Sequence, residues 1–193
     1  MPINLTTTGP RAADDFMAEL ADIFANFDAH RHDGMIQGMQ RKWAMQRQNI
    51  LGKPLPDLVA VNVMTGDTIR AKSAVGKILV MHFFGIDCEH CEDEMEWMRM
   101  LAEKYPKSLV VWGVSVDMGE LDKVKEFVAK HNPVYPFVLP TDDTFRRLNR
   151  IYGGATPQTI VADRQGRVVE FFVGFNEPLM KRLEEMLNRL GVK

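Results

Sequence analysis

The chain has 193 residues and two cysteines, which stand together as Cys88-Glu89-His90-Cys91. Two cysteines cannot make a disulfide framework, and a closed structural zinc site needs four ligands where no second C-x-x-C exists. The economical chemistry is a redox pair that cycles between dithiol and disulfide. Cys88, at an expected helix start, is the attacking thiolate, because unpaired backbone N–H groups and the helix dipole favour thiolate over thiol. Cys91, one turn in, is the resolving thiol. Met95, Met98 and Met100 follow closely among 13 methionines, and soft thioether ligands suit Cu(I). Methionine on a helix is normally core filler, so no metal site is assigned.

The element that must position the pair is the run Lys77-Ile78-Leu79-Val80-Met81-His82-Phe83-Phe84. It is rich in β-branched and aromatic residues and predicts a buried strand, with His82 as a core histidine whose hydrogen bonds are satisfied and a proton relay as the alternative. Gly85-Ile86-Asp87 breaks it. Glu92, Asp93 and Glu94 then occupy a first helical turn, where the dipole favours acids, and Met95, Met98 and Leu101 follow at helical spacing.

Upstream, Met1 to Arg11 is a polar lead-in. Phe16, Leu20, Ile23, Phe24 and Phe27 predict one amphipathic helix, and Ile36, Met39, Trp43 and Ile50 a second, ended by Gly52 and Pro54. Residues 1–51 are thus expected to form a helical extension that packs on the domain's flank or meets a partner or second copy. Lys53 to Asp57 is the linker into a domain spanning 52–193. Leu58–Val63 and Thr68–Arg70 predict a strand pair around Thr65-Gly66-Asp67, and Ser108–Val116 another buried strand. A helix over Glu120–His131, with Leu121, Val124 and Val128 inward, precedes a strand at Phe137–Leu139 and a helix over Asp143–Tyr152. A hairpin of Gln158–Ala162 with Val168–Val173 and a last helix capped by Asn176 complete the chain. The pattern predicts an α/β sandwich with a mixed central sheet flanked by helices.

With these residues in place, the chain from about Gly52 onward resembles the thioredoxin fold, and more narrowly the TlpA/ResA-like thiol–disulfide oxidoreductases. The resemblance rests on the Gly-Lys-Pro-x-Pro-Asp opening, the strand running into C-x-x-C, Gly113-Val114-Ser115-Val116-Asp117, Gly154-Ala155-Thr156-Pro157-Gln158-Thr159 and Asp163-Arg164-Gln165-Gly166. It implies that Pro157 is a cis-proline facing the disulfide, with Thr156 before it, and that this backbone pairs with a bound substrate chain. It also implies that Glu94, three residues after Cys91 and so on the Cys91 side of the helix, acts near the cysteines as a proton acceptor or pKa tuner. A partly buried carboxylate there takes the Cys91 proton, and the alternative is a solvated first-turn acid like Glu92 and Asp93. The family usually has Trp before the first cysteine, where this chain has Asp87. Asp87 and Glu89 raise the Cys88 pKa, protonated His90 lowers it, and the direction of electron flow is left open.

Hydrophobic content of 46% and 26% charged residues describe a globular protein with a core, and a net charge of −2 gives no reason to propose nucleic acid or an anionic membrane as partner. No run of 18 apolar residues and no signal-peptide core near Met1 is present, so the chain as given is expected to be soluble. The expected activity is thiol–disulfide exchange with protein thiols or disulfides, without a dissociable cofactor. Two alternatives are a copper or zinc carrier using Cys88, Cys91 and His90, and a peroxiredoxin-type peroxidase. The latter branch carries Thr three residues before its reactive cysteine and Pro further upstream, where this chain has Gly85 and Met81. The family resemblance implies an extracytoplasmic site, with the cytosol as the alternative.

Overall fold

The computed structural model describes residues 34, 37–39, 41–131 and 133–193. The chain divides into two compact units between Met45 and Gln46, and the unit Gln46–Lys193 holds the sheet and both cysteines. The expected first helix, Phe16 to Phe27, lies outside the described residues. The second is present as α1 (41–50). Of its expected apolar face Ile50 is buried, Met39 is exposed and Ile36 lies outside the described residues. Gly52 follows at φ +75°, a left-handed conformation that glycine adopts without steric cost.

The strands are β1 (Val59–Asn62), β2 (Thr68–Arg70), β3 (Ile78–Phe84), β4 (Leu109–Ser115), β5 (Phe137–Pro140), β6 (Gln158–Ala162) and β7 (Val168–Val173). The later helices are α2 (Glu89–Lys104), α3 (Leu121–Lys130), α4 (Asp142–Tyr152) and α5 (Glu177–Arg189). One seven-stranded sheet takes the order β2-β1-β5-β4-β3-β6-β7. β3, β4 and β5 are mutually parallel and are joined by α2 and α3, because parallel neighbours need a crossover. β1 and β6 run antiparallel to their neighbours, so the sheet is mixed, as expected.

All seven residues of β3 are buried, which is why the run reads as continuously apolar rather than alternating. The pleat sends Ile78, Val80, His82 and Phe84 to one face and Leu79, Met81 and Phe83 to the other. On the first face they meet Met95 and Met98 of α2, Val124 and Val128 of α3, and Leu183 and Leu187 of α5. On the second, Leu79, Met81 and Phe83 share a cluster with Ile50, Leu148 and Tyr152. Leu121, expected inward on α3, is 38% exposed; it is the first residue of that helix, ahead of the stripe that Val124 and Val128 make.

An ion cluster on β7 ties the end of α1 into this unit. The Glu170 carboxylate accepts from Arg47 Nε and Nη2 at 2.6 and 2.9 Å, from Arg182 Nη2 at 3.1 Å and from the Phe171 N–H at 2.9 Å. Burial pushes its pKa up, but the bonds from Arg47 and Phe171 outweigh it and hold the carboxyl below its usual range.

Gly113 of β4 pairs with His82 of β3 and leaves room for the ring. A Cβ there would stand 2.5 Å from Phe137 Cδ1 and 3.0 Å from His82 Nε2. Gly113→Ala is therefore expected to destabilise the protein by about 1–3 kcal/mol through overpacking, read from the midpoint of urea unfolding.

Candidate active site

β3 delivers the chain to the site and then stops. Past Phe84, the Val116 N–H bonds to the Phe84 carbonyl at 3.0 Å, and the Ile86 N–H donates to Asp117 Oδ2 at 3.0 Å. Asp117 also accepts from Ser115 Oγ at 3.1 Å, so the end of β4 braces the loop that carries Cys88. Cys88 is the N-cap of α2, in extended conformation, and Glu89 and Glu92 lie in the first turn. Cys88 and Cys91 are joined in a disulfide, with Cα atoms 5.3 Å apart. Cys88 is half-buried and Cys91 is completely buried.

The remaining predicted residues fall in two groups. Asp87, Glu89 and His90 are exposed around Cys88, where water screens their charges. The Thr156–Pro157 peptide is cis. Gln158 pairs with Phe83, so Pro157 lies one residue beyond that pair, at the end of the sheet where β3 gives way to the Cys88 loop. Among the described residues, no group of three or more His, Cys, Asp and Glu side chains is placed to hold a metal ion.

Glu94 is not a solvated first-turn acid. It lies one turn past Cys91 on the inner face of α2, with no exposed surface. Its Oε1 accepts from Thr159 Oγ1 at 2.5 Å, and its Oε2 faces His82 Nδ1 at 3.7 Å, too far for a hydrogen bond. Both of those facing atoms are buried without a hydrogen-bond partner. His82 is thus satisfied at one nitrogen and not the other, short of the fully bonded core histidine expected. Its Nε2 pairs with the Tyr135 hydroxyl at 2.9 Å. Burial pushes Glu94 up to about 8, against the Thr159 hydrogen bond, and pushes His82 down to about 3. At neutral pH the two are therefore an uncharged acid beside an uncharged imidazole, not an ion pair.

Residues 51–171 match the AhpC/TSA family. The chain belongs to that family. Within it the similarity is to the ResA-like thiol–disulfide oxidoreductases. The thiol-disulfide oxidoreductase ResA of Bacillus thuringiensis is 32% identical over 142 residues, covering 72% of this chain and 78% of the relative. The thiol-disulfide oxidoreductase YkuV of Bacillus subtilis is 26% identical, covering 72% of this chain and 95% of the relative. Among solved structures, a thioredoxin-family thiol:disulfide interchange protein from Chlorobium tepidum superposes with a TM-score of 0.60 at 26% identity, over 70% of this chain and 95% of its own.

Three residues of the site had no functional reading from sequence. Tyr135 stands between two prolines without periodic context, Thr159 and Asp117 appeared only as letters of a motif, and all three act through strand register or a loop contact. The signal available was a threonine in the strand that follows Thr156-Pro157.

The buried pair links stability to pH. Glu94 titrates near 4.5 unfolded and about 8 folded, so across that interval the native state holds the extra proton and stability falls as pH rises. His82 runs from 6.5 unfolded to about 3 folded, so stability falls as pH drops through that interval. The two offset each other between 4.5 and 6.5, and the alkaline loss stands alone from 6.5 to about 8. In the oxidised protein Glu94→Gln should remove that alkaline decline, about 1 kcal/mol per pH unit, from urea midpoints measured across the interval.

Proposed function

We propose that this protein exchanges dithiol for disulfide with protein partners through Cys88, with Cys91 resolving the mixed disulfide. It is an enzyme of the thiol–disulfide oxidoreductase type. The observation that carries the mechanism is the asymmetry of the bridge: Cys88 at the mouth of α2, half-buried, and Cys91 sealed behind it. A partner thiolate attacks Cys88 Sγ and displaces Cys91 as thiolate. In the reverse direction the Cys88 thiolate attacks a partner disulfide, and Cys91 then attacks Cys88 Sγ and releases the partner thiolate.

In its ionised form, the minority at neutral pH that grows as pH rises toward about 8, Glu94 takes the proton that Cys91 gives up in that resolving attack. In its protonated form it returns a proton to the Cys91 thiolate in the opposite direction. A carboxyl titrating near 8 is matched to a thiol, so the transfer is close to balanced in either direction. The backbone at Thr156 and Pro157 is the seat for the partner chain, as in the family it resembles. Redox equivalents reside in the Cys88–Cys91 bridge, and no dissociable cofactor takes part. Asp87, Glu89 and His90 set the Cys88 thiolate fraction. The N-terminal extension, residues 1–51, supplies a contact for a second copy or a partner, and an extracytoplasmic compartment suits a bridge that must persist oxidised between encounters. No helix among the described residues is long and apolar enough to cross a membrane.

Cys91→Ser tests the mechanism directly. The variant is expected to accumulate a partner in mixed disulfide with Cys88, released by dithiothreitol and absent from a Cys88→Ser, Cys91→Ser control. Recovery of no partner from the cells that make the protein would remove the reading. The reduction potential of the pair then assigns direction: about −120 to −180 mV for an oxidant or isomerase, and about −250 mV or lower for a reductant.

A further inference from the structure

Cys91 and Glu94 both lack any exposed surface, so a proton passed between them has no direct way to water. Each turnover of a dithiol–disulfide pair nevertheless takes up or releases protons. Among the described residues, two polar side chains face the Glu94 carboxyl. Thr159 is one, and it is buried with its hydroxyl committed to Oε1. The other is His82, whose orphaned Nδ1 faces the orphaned Oε2 and whose far nitrogen reaches Tyr135. Tyr135 leads on: its hydroxyl also lies 3.4 Å from the Met95 carbonyl, and Tyr135 and Met95 both line a cavity at the surface with Glu92, Glu96, Arg99 and His131.

We propose that His82 and Tyr135 are positioning residues that relay the Glu94 proton between the buried cysteine and that cavity. The inference rests on the role given to Glu94 above. The hydrogen-bond chain has two complete arrangements. With Glu94 protonated, Oε2–H donates to His82 Nδ1, Nε2–H donates to the Tyr135 oxygen, and the Tyr135 hydroxyl donates to the Met95 carbonyl. With Glu94 ionised, Nδ1–H donates to the carboxylate and Nε2 accepts from Tyr135.

Passing from the first arrangement to the second moves one proton from Oε2 to Nδ1, one from Nε2 to the Tyr135 oxygen, and one from the Tyr135 hydroxyl to water in the cavity. The carboxyl has given up one proton and the cavity has received one. His82 and Tyr135 end uncharged, and the imidazole has exchanged tautomers. The ionised Glu94 then takes the next proton from Cys91, which restores the first arrangement. The relay requires the 3.7 Å between Oε2 and Nδ1 to close to bonding distance. Gly113 and Thr159 are the partners of His82 on β4 and β6.

The test is Tyr135→Phe, which removes the hydroxyl and keeps the ring that stacks on Phe137. The readout is the single-turnover rate at which Cys91 expels a chromogenic thiol preloaded on Cys88, in the full chain, with Glu94→Gln and the double variant alongside. Tyr135→Phe is expected to slow expulsion about tenfold, Glu94→Gln at least as much, and the double variant no more than Glu94→Gln alone. A wild-type rate in Tyr135→Phe beside a slow Glu94→Gln would overturn the relay and leave the exchange mechanism standing. Wild-type rates in Glu94→Gln would overturn both the Glu94 role and the relay, and multiplying effects in the double variant would make Tyr135 merely structural. A second measurement needs no variant: the ¹⁵N shifts of the His82 ring should interchange tautomers as Glu94 titrates. One fixed tautomer throughout would sink the proposal.

Discussion

A carboxyl group cut off from water must either be paired or give up its charge, and the first condition is not met at Glu94. Removing a lone carboxylate from water costs far more than a domain's net stability, so the group stays protonated instead. That requirement organises the centre of the molecule. α2 must pack with its second turn against β3, β6 must supply a hydroxyl at Thr159, and β4 must yield space at Gly113 for the imidazole beside it. The same residue type shows the opposite outcome elsewhere in the sheet. Glu170, almost as buried, keeps its charge because Arg47 and Arg182 close on it from two helices. The two glutamates meet burial in two ways, one by keeping its proton and one by ion pairing.

Much of this was legible in the chain itself. The apolar run at 78–84 and the acidic first turn after it place the cysteines at a strand-to-helix junction, and the mixed sheet follows from helices interleaved between strands with a hairpin at the end. The spacing of Glu94 three residues after Cys91 turned it to the Cys91 side of the helix, unlike Glu92 and Asp93, but its complete seclusion from water was not legible, because that depends on the strands packed over it. Its partners were out of reach for a different reason. His82, Gly113 and Thr159 lie side by side on three strands, and that adjacency is set by register across β4, β3 and β6. Tyr135 sits in an irregular segment, where no period points a side chain anywhere. Leu121 failed in the reverse sense: the helical period assigned it inward, but it stands on the first residue of α3, ahead of the part that packs.

The disulfide has one accessible side, and this bears on its survival under oxidants. A thiolate open to solvent can be driven by peroxide to sulfenic acid and then irreversibly further. Of the two sulfurs here, Cys88 meets such reagents first, since Cys91 has no surface to offer. A sulfenic acid formed on Cys88 has the Cys91 thiol already alongside, and their condensation expels water and restores the bridge. The sealed position of Cys91 beside Cys88 thus leaves an oxidised Cys88 a chemical route back to the bridge.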